Sequence, residues 1–188
     1  MIRVVVTGSE CTGKSTLARA LAEHYGAPWV PEYARQFVRD SGRAPEAADV
    51  ETIARGQIEG EDRLAAGAGD LLVLDTDLLS TVVYARHYFG RCPPWVVDAL
   101  EERRPDLYLL AGIDVPWVAD GAMRDRGDRR EEMQLLFLET LEEFDCPWLA
   151  VDGSAERRLH RAVRRLDRVL PHQSGPARPG GGSADVCG

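Results

Sequence analysis

The sequence predicts an α/β domain: a parallel sheet covered by helices on both faces, with a phosphate-binding loop at its first strand–helix junction. Three observations predict it. Short apolar runs alternate with helical patterns along most of the chain. The first run, "IRVVVTG" (2–8), leads directly into "GSECTGKS" (8–15), which satisfies the phosphate-loop pattern GxxxxGK[ST]. The chain has 188 residues, 44% of them hydrophobic, which suits one globular domain. Together they point to a three-layer P-loop NTPase fold.

The elements follow in order. The β-branched run at 2–8 reads as a buried strand. Residues 14–25 carry Leu17, Ala20, Leu21 and His24 on one helical stripe. "PWVPEY" (28–33) reads as a short second strand and 32–41 as a helix. The stretch 45–68 reads as helical although Gly56 and Gly60 lie inside it. "DLLVLDTD" (70–77) is a third strand, followed by helices over 78–89 and 94–103. "PDLYLLAG" (105–112) and "CPWLAVDG" (146–153) are the fourth and fifth strands. Between them lie an Arg-rich connection, 116–130, and a helix over 130–145. A last helix covers 154–169. The expected domain is therefore 1–170. Residues 171–188 are Pro/Gly/Ser-rich and apolar-poor, and read as a disordered tail.

Composition excludes several classes. The net charge of −8 opposes a chain whose main task is gripping nucleic acid. The start lacks the basic and long apolar segments of a secretory signal, and no run reaches about 18 apolar residues. A cytoplasmic protein with neither a membrane nor a nucleic-acid partner is expected. The four cysteines, at 11, 92, 146 and 187, form no CxxC pair, so they read as reduced thiols. Asparagine is absent, and Lys14 is the only lysine. Guanine-reading GTPases need an Asn-Lys-x-Asp element, which this chain cannot supply.

The phosphate loop points to ATP and Mg²⁺. Gly8 and Gly13 let the backbone turn so that N–H groups along Ser9, Glu10, Cys11 and Thr12 converge on phosphate oxygens. Lys14 reaches the β- and γ-phosphates, Ser15 ligates Mg²⁺, and Thr16 is a supporting hydroxyl at the helix start.

A small kinase needs three further parts, and each has a candidate. Asp75 and Asp77 end the third strand; positions i and i+2 share one side, so both are expected to face the binding crevice. One would serve Mg²⁺ and the other the acceptor hydroxyls. Asp77 also suits the N-cap of the following helix. In "PEYAR" (31–35), Glu32 is a candidate base and Arg35 a phosphate clamp, or the two form a surface ion pair. In "MRDRGDRR" (123–130), Arg124, Arg126, Arg129 and Arg130 would form a lid over the transferring phosphoryl group, or a solvated loop paired with Asp125, Asp128 and Glu131. The arginines of the last helix, including Arg158, read as a solvated face.

In combination, "GSECTGKST", "PEYAR", "VLDTDLLST", "ARHYFG" and "PWVADGAMR" with "DRR" make the chain resemble the nicotinamide riboside kinase domain of the NadR-type NAD-biosynthesis proteins, over residues 2–168. The resemblance implies the parallel strand order 2-3-1-4-5. It implies transfer of the ATP γ-phosphoryl group to the 5′-hydroxyl of nicotinamide riboside. The alternatives are a kinase for another nucleoside or small hydroxyl compound, or a regulatory ATPase. By matched position, Glu32, Tyr33, Arg35, Asp75 and Asp77 would line the acceptor site, and Trp117, Asp120 and Arg124 would belong to the lid. Asp75 or Glu32 would orient or deprotonate the attacking hydroxyl. The chain starts at the first strand, so the adenylyltransferase domain and any DNA-binding segment of such proteins are expected to be absent. Where some relatives have Trp before the "EY" pair this chain has Pro31, leaving Trp29, Tyr33, Tyr84 or Trp117 to stack on a nicotinamide ring.

Overall fold

The computed structural model describes residues 1–116 and 129–170. Strands are β1 (Ile2–Thr7), β2 (Trp29–Val30), β3 (Leu71–Asp75), β4 (Leu107–Ala111) and β5 (Trp148–Val151). Helices are α1 (Lys14–Tyr25), α2 (Tyr33–Ser41), α3 (Val50–Ala65), α4 (Leu78–Phe89), α5 (Pro94–Glu102), α6 (Arg130–Glu143) and α7 (Ala155–Leu166), with a 3-10 turn at Ala47–Asp49 before α3. All strand pairs are parallel, and the sheet order is β2-β3-β1-β4-β5. The expected order and layering are observed. The Arg-rich lid, with Trp117, Asp120, Arg124 and Arg126, lies outside the described residues, as does the 171–188 tail.

Strand alternation builds the layers. Val5, Leu72, Leu74, Tyr108 and Leu110 face one side and pack with α4, α5 and α6. Val4, Val6, Leu71, Val73 and Leu109 face the other side and pack with α1 and α7. Because both faces are covered, the strands read as continuous apolar runs rather than alternating ones. Among the described residues, no helix is long and apolar enough to cross a membrane.

Two boundaries differ from the expectation, each for a local reason. β2 is two residues long, pairing only through Trp29 and Val30, because Pro31 removes a donor from the ladder. α2 then starts at Tyr33, whose N–H donates to Gln57 Oε1 of α3 at 3.1 Å. That bond substitutes for a cap from the helix's own side chains.

The two glycines inside α3 are there for close approach. A Cβ on Gly56 would lie 2.2 Å from Tyr33 Cζ, so the tyrosine ring rests on bare backbone. A Cβ on Gly60 would meet Val30 Cγ1 at an ordinary 3.7 Å. Gly56→Ala is therefore expected to displace Tyr33 and destabilise the domain by about 1–3 kcal/mol. Gly60→Ala is expected to be tolerated, gaining up to about 1 kcal/mol of helix propensity. Urea unfolding midpoints read the contrast, and equal midpoints would contradict it.

Candidate functional site

The carboxyl edge of the sheet gathers the chemistry, as it does in open parallel sheets. The phosphate loop leaves β1 there. Gly8 has φ 124° and Gly13 φ 79°, and Cys11 adds a third left-handed residue at φ 53°. A Cβ on Gly8 would stand 3.0 Å from the Ala111 carbonyl oxygen, so the loop starts hard against β4. Gln134 of α6 ties the two, accepting from Ser9 N–H at 3.1 Å and donating to Ala111 O at 3.0 Å. Thr12 Oγ1 and Lys14 Nζ both donate to Ser9 O, at 2.9 and 2.7 Å.

Lys14 is 6% exposed. Burial lowers its pKa, against the pull of Glu32 and Asp75, which favour the ammonium. Such a buried cation, with two carboxylates beside it, is placed for an anionic ligand.

Asp75 and Asp77 do not share one side, contrary to the strand argument. The extended run stops at Asp75, because Thr76 takes φ 66° and its N–H returns to Val6 O at 3.0 Å. Asp75 lies by Ser15 of α1, and burial raises its pKa. Asp75 Oδ1 and Ser15 Oγ are buried with no hydrogen-bond partner. Two such oxygens are the donor type a hard cation takes. Among the described residues no cluster of three His, Cys, Asp or Glu side chains occurs. A cation here would therefore need phosphate oxygens and water to complete its shell, as Mg²⁺ does.

Asp77 turns to the other layer. Its Oδ1 accepts from Leu79 N–H at 3.1 Å, capping α4, and its Oδ2 accepts from Tyr108 Oη at 2.5 Å. Its capping role is real, and it also lines a cavity. Burial pushes its pKa up to about 7, with the Tyr108 hydroxyl opposing.

That cavity has a volume of about 750 Å³ and lies between α2, α3 and α4. Its polar lining includes Glu10, Lys14, Glu32, Arg35 and Asp77. Its apolar and aromatic lining includes Val38, Pro45, Ile53, Tyr84, Tyr88 and Phe89. Tyr84 and Tyr88, four residues apart on α4, hold their rings nearly parallel at 8°, with centroids 6.1 Å apart. Phe137 meets Tyr84 edge-on and fixes it. Glu32 Oε2 accepts from Arg35 Nε at 2.6 Å, so the expected ion pair forms, and it forms inside the cavity wall. Glu10, expected among the donor-binding residues, is on this side as well. Tyr33 is not part of the wall, its ring resting on Gly56.

A second cavity, about 460 Å³, also meets the loop and shares no lining residue with the first. It is bounded by Thr12 and Thr16, by Leu17 of α1, and by the segments that follow β4 and β5. Arg130 reaches over the loop from the start of α6, donating to Cys11 O at 3.4 Å and Val115 O at 3.0 Å.

Arg158 contradicts the solvated-face reading of α7. It is 3% exposed and donates to four acceptors, one in the phosphate loop and three in the segments after β4 and β5. A signal was available: Arg158, Ala162 and Leu166 recur every four residues, so Arg158 sits on the buried stripe. Tyr88 and Gln134 were missed too. Tyr88 was legible as Tyr84 plus one helical turn; nothing local marked Gln134.

A family model described as "AAA domain" matches residues 3–158. The trifunctional NAD biosynthesis/regulator protein NadR of Escherichia coli (strain K12) is 34% identical over 177 residues, covering 90% of this chain and 43% of that protein. A crystal structure of NadR protein in complex with NR superposes with a TM-score of 0.81 at 26% identity, over 90% of this chain and 51% of that one. A crystal structure of NadR protein in complex with NAD and AMP-PNP gives 0.75 at 27% identity, over 89% and 49%. The chain spans about half the length of these relatives.

Proposed function

The chain belongs to the AAA-domain family that its residues 3–158 match, and on that premise we propose that it is an ATP-dependent kinase that phosphorylates the 5′-hydroxyl of nicotinamide riboside, giving nicotinamide mononucleotide. The observation that carries the proposal is that Lys14, the cation of the phosphate loop, also lines the cavity formed by Glu32, Arg35, Asp77 and the tyrosine pair. A γ-phosphate held at Lys14 would face a hydroxyl held in that cavity. The NadR structures support the reading, one with NR and one with AMP-PNP.

The proposed roles divide by position. The second cavity takes the purine, and the triphosphate runs over the loop to Lys14. Loop N–H groups, Lys14 and Arg130 stabilise charge on the phosphoryl group as it transfers in line. Arg124 and Arg126 would add to this from the lid, and Trp117 and Asp120 would close over the acceptor. Mg²⁺, when bound, neutralises charge on the β- and γ-phosphates, and Ser15 and Asp75 are the residues that fit it. Glu32 lines the acceptor cavity whereas Asp75 does not, so Glu32 orients or deprotonates the 5′-hydroxyl. Asp77 accepts from ribose hydroxyls, and Tyr84 and Tyr88 offer the flat wall for the nicotinamide ring. Phosphorus NMR of a reaction with ATP and nicotinamide riboside tests this: a phosphomonoester resonance matching nicotinamide mononucleotide is expected, and free phosphate alone would overturn it.

Asp77 gives this site a pH signature. Its folded pKa of about 7 lies above the ordinary aspartate value of 3.8. Its stabilising contribution is therefore full below about pH 4 and is lost as pH rises through about 7. Asp77→Asn keeps an N-cap oxygen and cannot ionise. Between about pH 4 and 7 the wild-type Tm is expected to fall relative to the variant. The variant is also expected to raise KM for the riboside about tenfold or more while leaving KM for ATP within about twofold. Parallel melting curves across that range, or equal changes in both KM values, would contradict the assignment.

A further inference from the structure

We propose that Arg158, held by Asp114, is a positioning residue for the nucleotide: it fixes the Thr12–Gly13 peptide of the phosphate loop against the pocket that takes the purine. The inference rests on the reading that the second cavity receives the base.

One guanidinium fastens three loops at the carboxyl edge of the sheet. Arg158 Nη1 donates to Thr12 O, in the loop after β1, at 2.5 Å. Nη2 donates to Gly112 O, after β4, at 3.0 Å. Nε donates to Gly153 O, after β5, at 2.9 Å. These are the same three loops that, with α1, bound the second cavity. One side chain thus ties together the three loops that shape this pocket, while Gln134 and Arg130 hold the phosphate loop at Ser9 and Cys11.

Asp114 completes the arrangement. Its Oδ1 accepts from Arg158 Nη2 at 2.5 Å, and its Oδ2 accepts from Gly153 N–H at 2.6 Å. It holds the guanidinium in plane and ties the loop after β4 to the loop after β5. The Arg158 side chain is 4% exposed and the Asp114 side chain 44% exposed. The carboxylate is half open to water while the guanidinium is not, so solvent screens the pair from one side only. What it does well is geometric: a planar fork meeting fixed acceptors has little freedom to rotate. Its α7 neighbours Arg157 and Arg161 instead pair with Asp152 at the surface, at 3.6 and 3.4 Å.

Gly13 makes the point of contact sensitive. It carries φ 79°, and a Cβ there would approach Arg158 Nη1 at 4.0 Å. The Gly13 N–H belongs to the peptide whose carbonyl Arg158 grips. Gripping Thr12 O sets the direction of that N–H toward the phosphates. Released, the peptide can rotate, and the donor loses both its phosphate bond and its pocket wall.

The test measures the ATP dissociation constant, which needs no acceptor, alongside steady-state kinetics and Tm for Arg158→Gln, Arg158→Lys and Asp114→Asn. Arg158→Gln is expected to weaken ATP binding about tenfold or more and to leave KM for the riboside within about twofold. Binding of inorganic tripolyphosphate, which has no base, should weaken less than binding of ATP. Arg158→Lys should fall between, since three ammonium donors cannot meet four acceptors. Asp114→Asn keeps the three carbonyl bonds and should weaken ATP about threefold; this arm decides the matter if Arg158→Gln does not fold. Unchanged ATP affinity in Asp114→Asn, or equal losses for ATP and riboside in either variant, would overturn the proposal. A wild type that binds ATP but phosphorylates no riboside would overturn the proposed function instead, and the ATP constants would still decide the role of Arg158.

Discussion

Lys14→Ala is expected to cut phosphoryl transfer about 10³-fold or more, because the loop ammonium offsets charge that spreads over the phosphoryl oxygens in the transition state. It is expected to leave the fold at least as stable as the wild type. Burial holds the Lys14 pKa below its ordinary value, so the charged side chain is disfavoured in the folded state. A lysine with a depressed folded pKa withholds stability below that pKa, and the penalty fades as pH rises through it. Alanine removes the penalty and the single bond to Ser9 O. The pairing of large functional loss with retained Tm is the mark of a residue kept for chemistry. Rates of ADP release and a melting curve check it; an active variant, or one that unfolds, would refute this account of Lys14.

The second large effect separates the two carboxylates. Asp75→Asn is expected to lower kcat about 10²-fold and to raise the Mg²⁺ concentration needed for half-maximal rate. Glu32→Gln is expected to lower kcat by a similar factor of about 10² while leaving the Mg²⁺ requirement unchanged. The distinction follows from position. Asp75 is 2% exposed, beside Ser15, with Oδ1 lacking a partner. Glu32 lines the cavity proposed for the acceptor, next to Arg35. Asp75 also carries a stability sign. Its folded pKa is raised by burial, so its contribution is full below the unfolded value and is lost as pH rises through the folded one. At neutral pH the asparagine variant should melt no lower than the wild type. Titrating Mg²⁺ against initial rate for both variants checks the division, and a shared Mg²⁺ response would merge the two roles.

Much of the fold was legible because each element carried its own period or punctuation. The β3 run Leu71–Asp75 and the helix Leu78–Phe89 fall where the apolar pattern puts them. What could not be read were contacts between elements. Nothing near Gly56 announces that Tyr33 of another helix rests on it. The turn at Thr76 defeated the strand argument for Asp75 and Asp77, since a single left-handed residue reverses which side the next acid faces. Arg158 was hidden by its neighbours: among so many arginines on one helix, only the stripe it shares with Ala162 and Leu166 sets it apart. The donor loop was readable as a motif because its function depends on adjacent residues. The acceptor cavity was readable only in part, because α2, α3 and α4 meet there from distant stretches of chain.

We propose that the loop delivers phosphoryl to a nucleoside in the adjoining cavity. ADP release by the 188-residue chain, measured with ATP and Mg²⁺ against a panel containing nicotinamide riboside, the common nucleosides and no acceptor, tests this. A rate that rises many-fold with nicotinamide riboside and stays near baseline without acceptor is expected. Acceleration by a different nucleoside alone would keep the kinase and replace its substrate. A rate that no acceptor alters would contradict the claim and mark the chain as a regulatory ATPase.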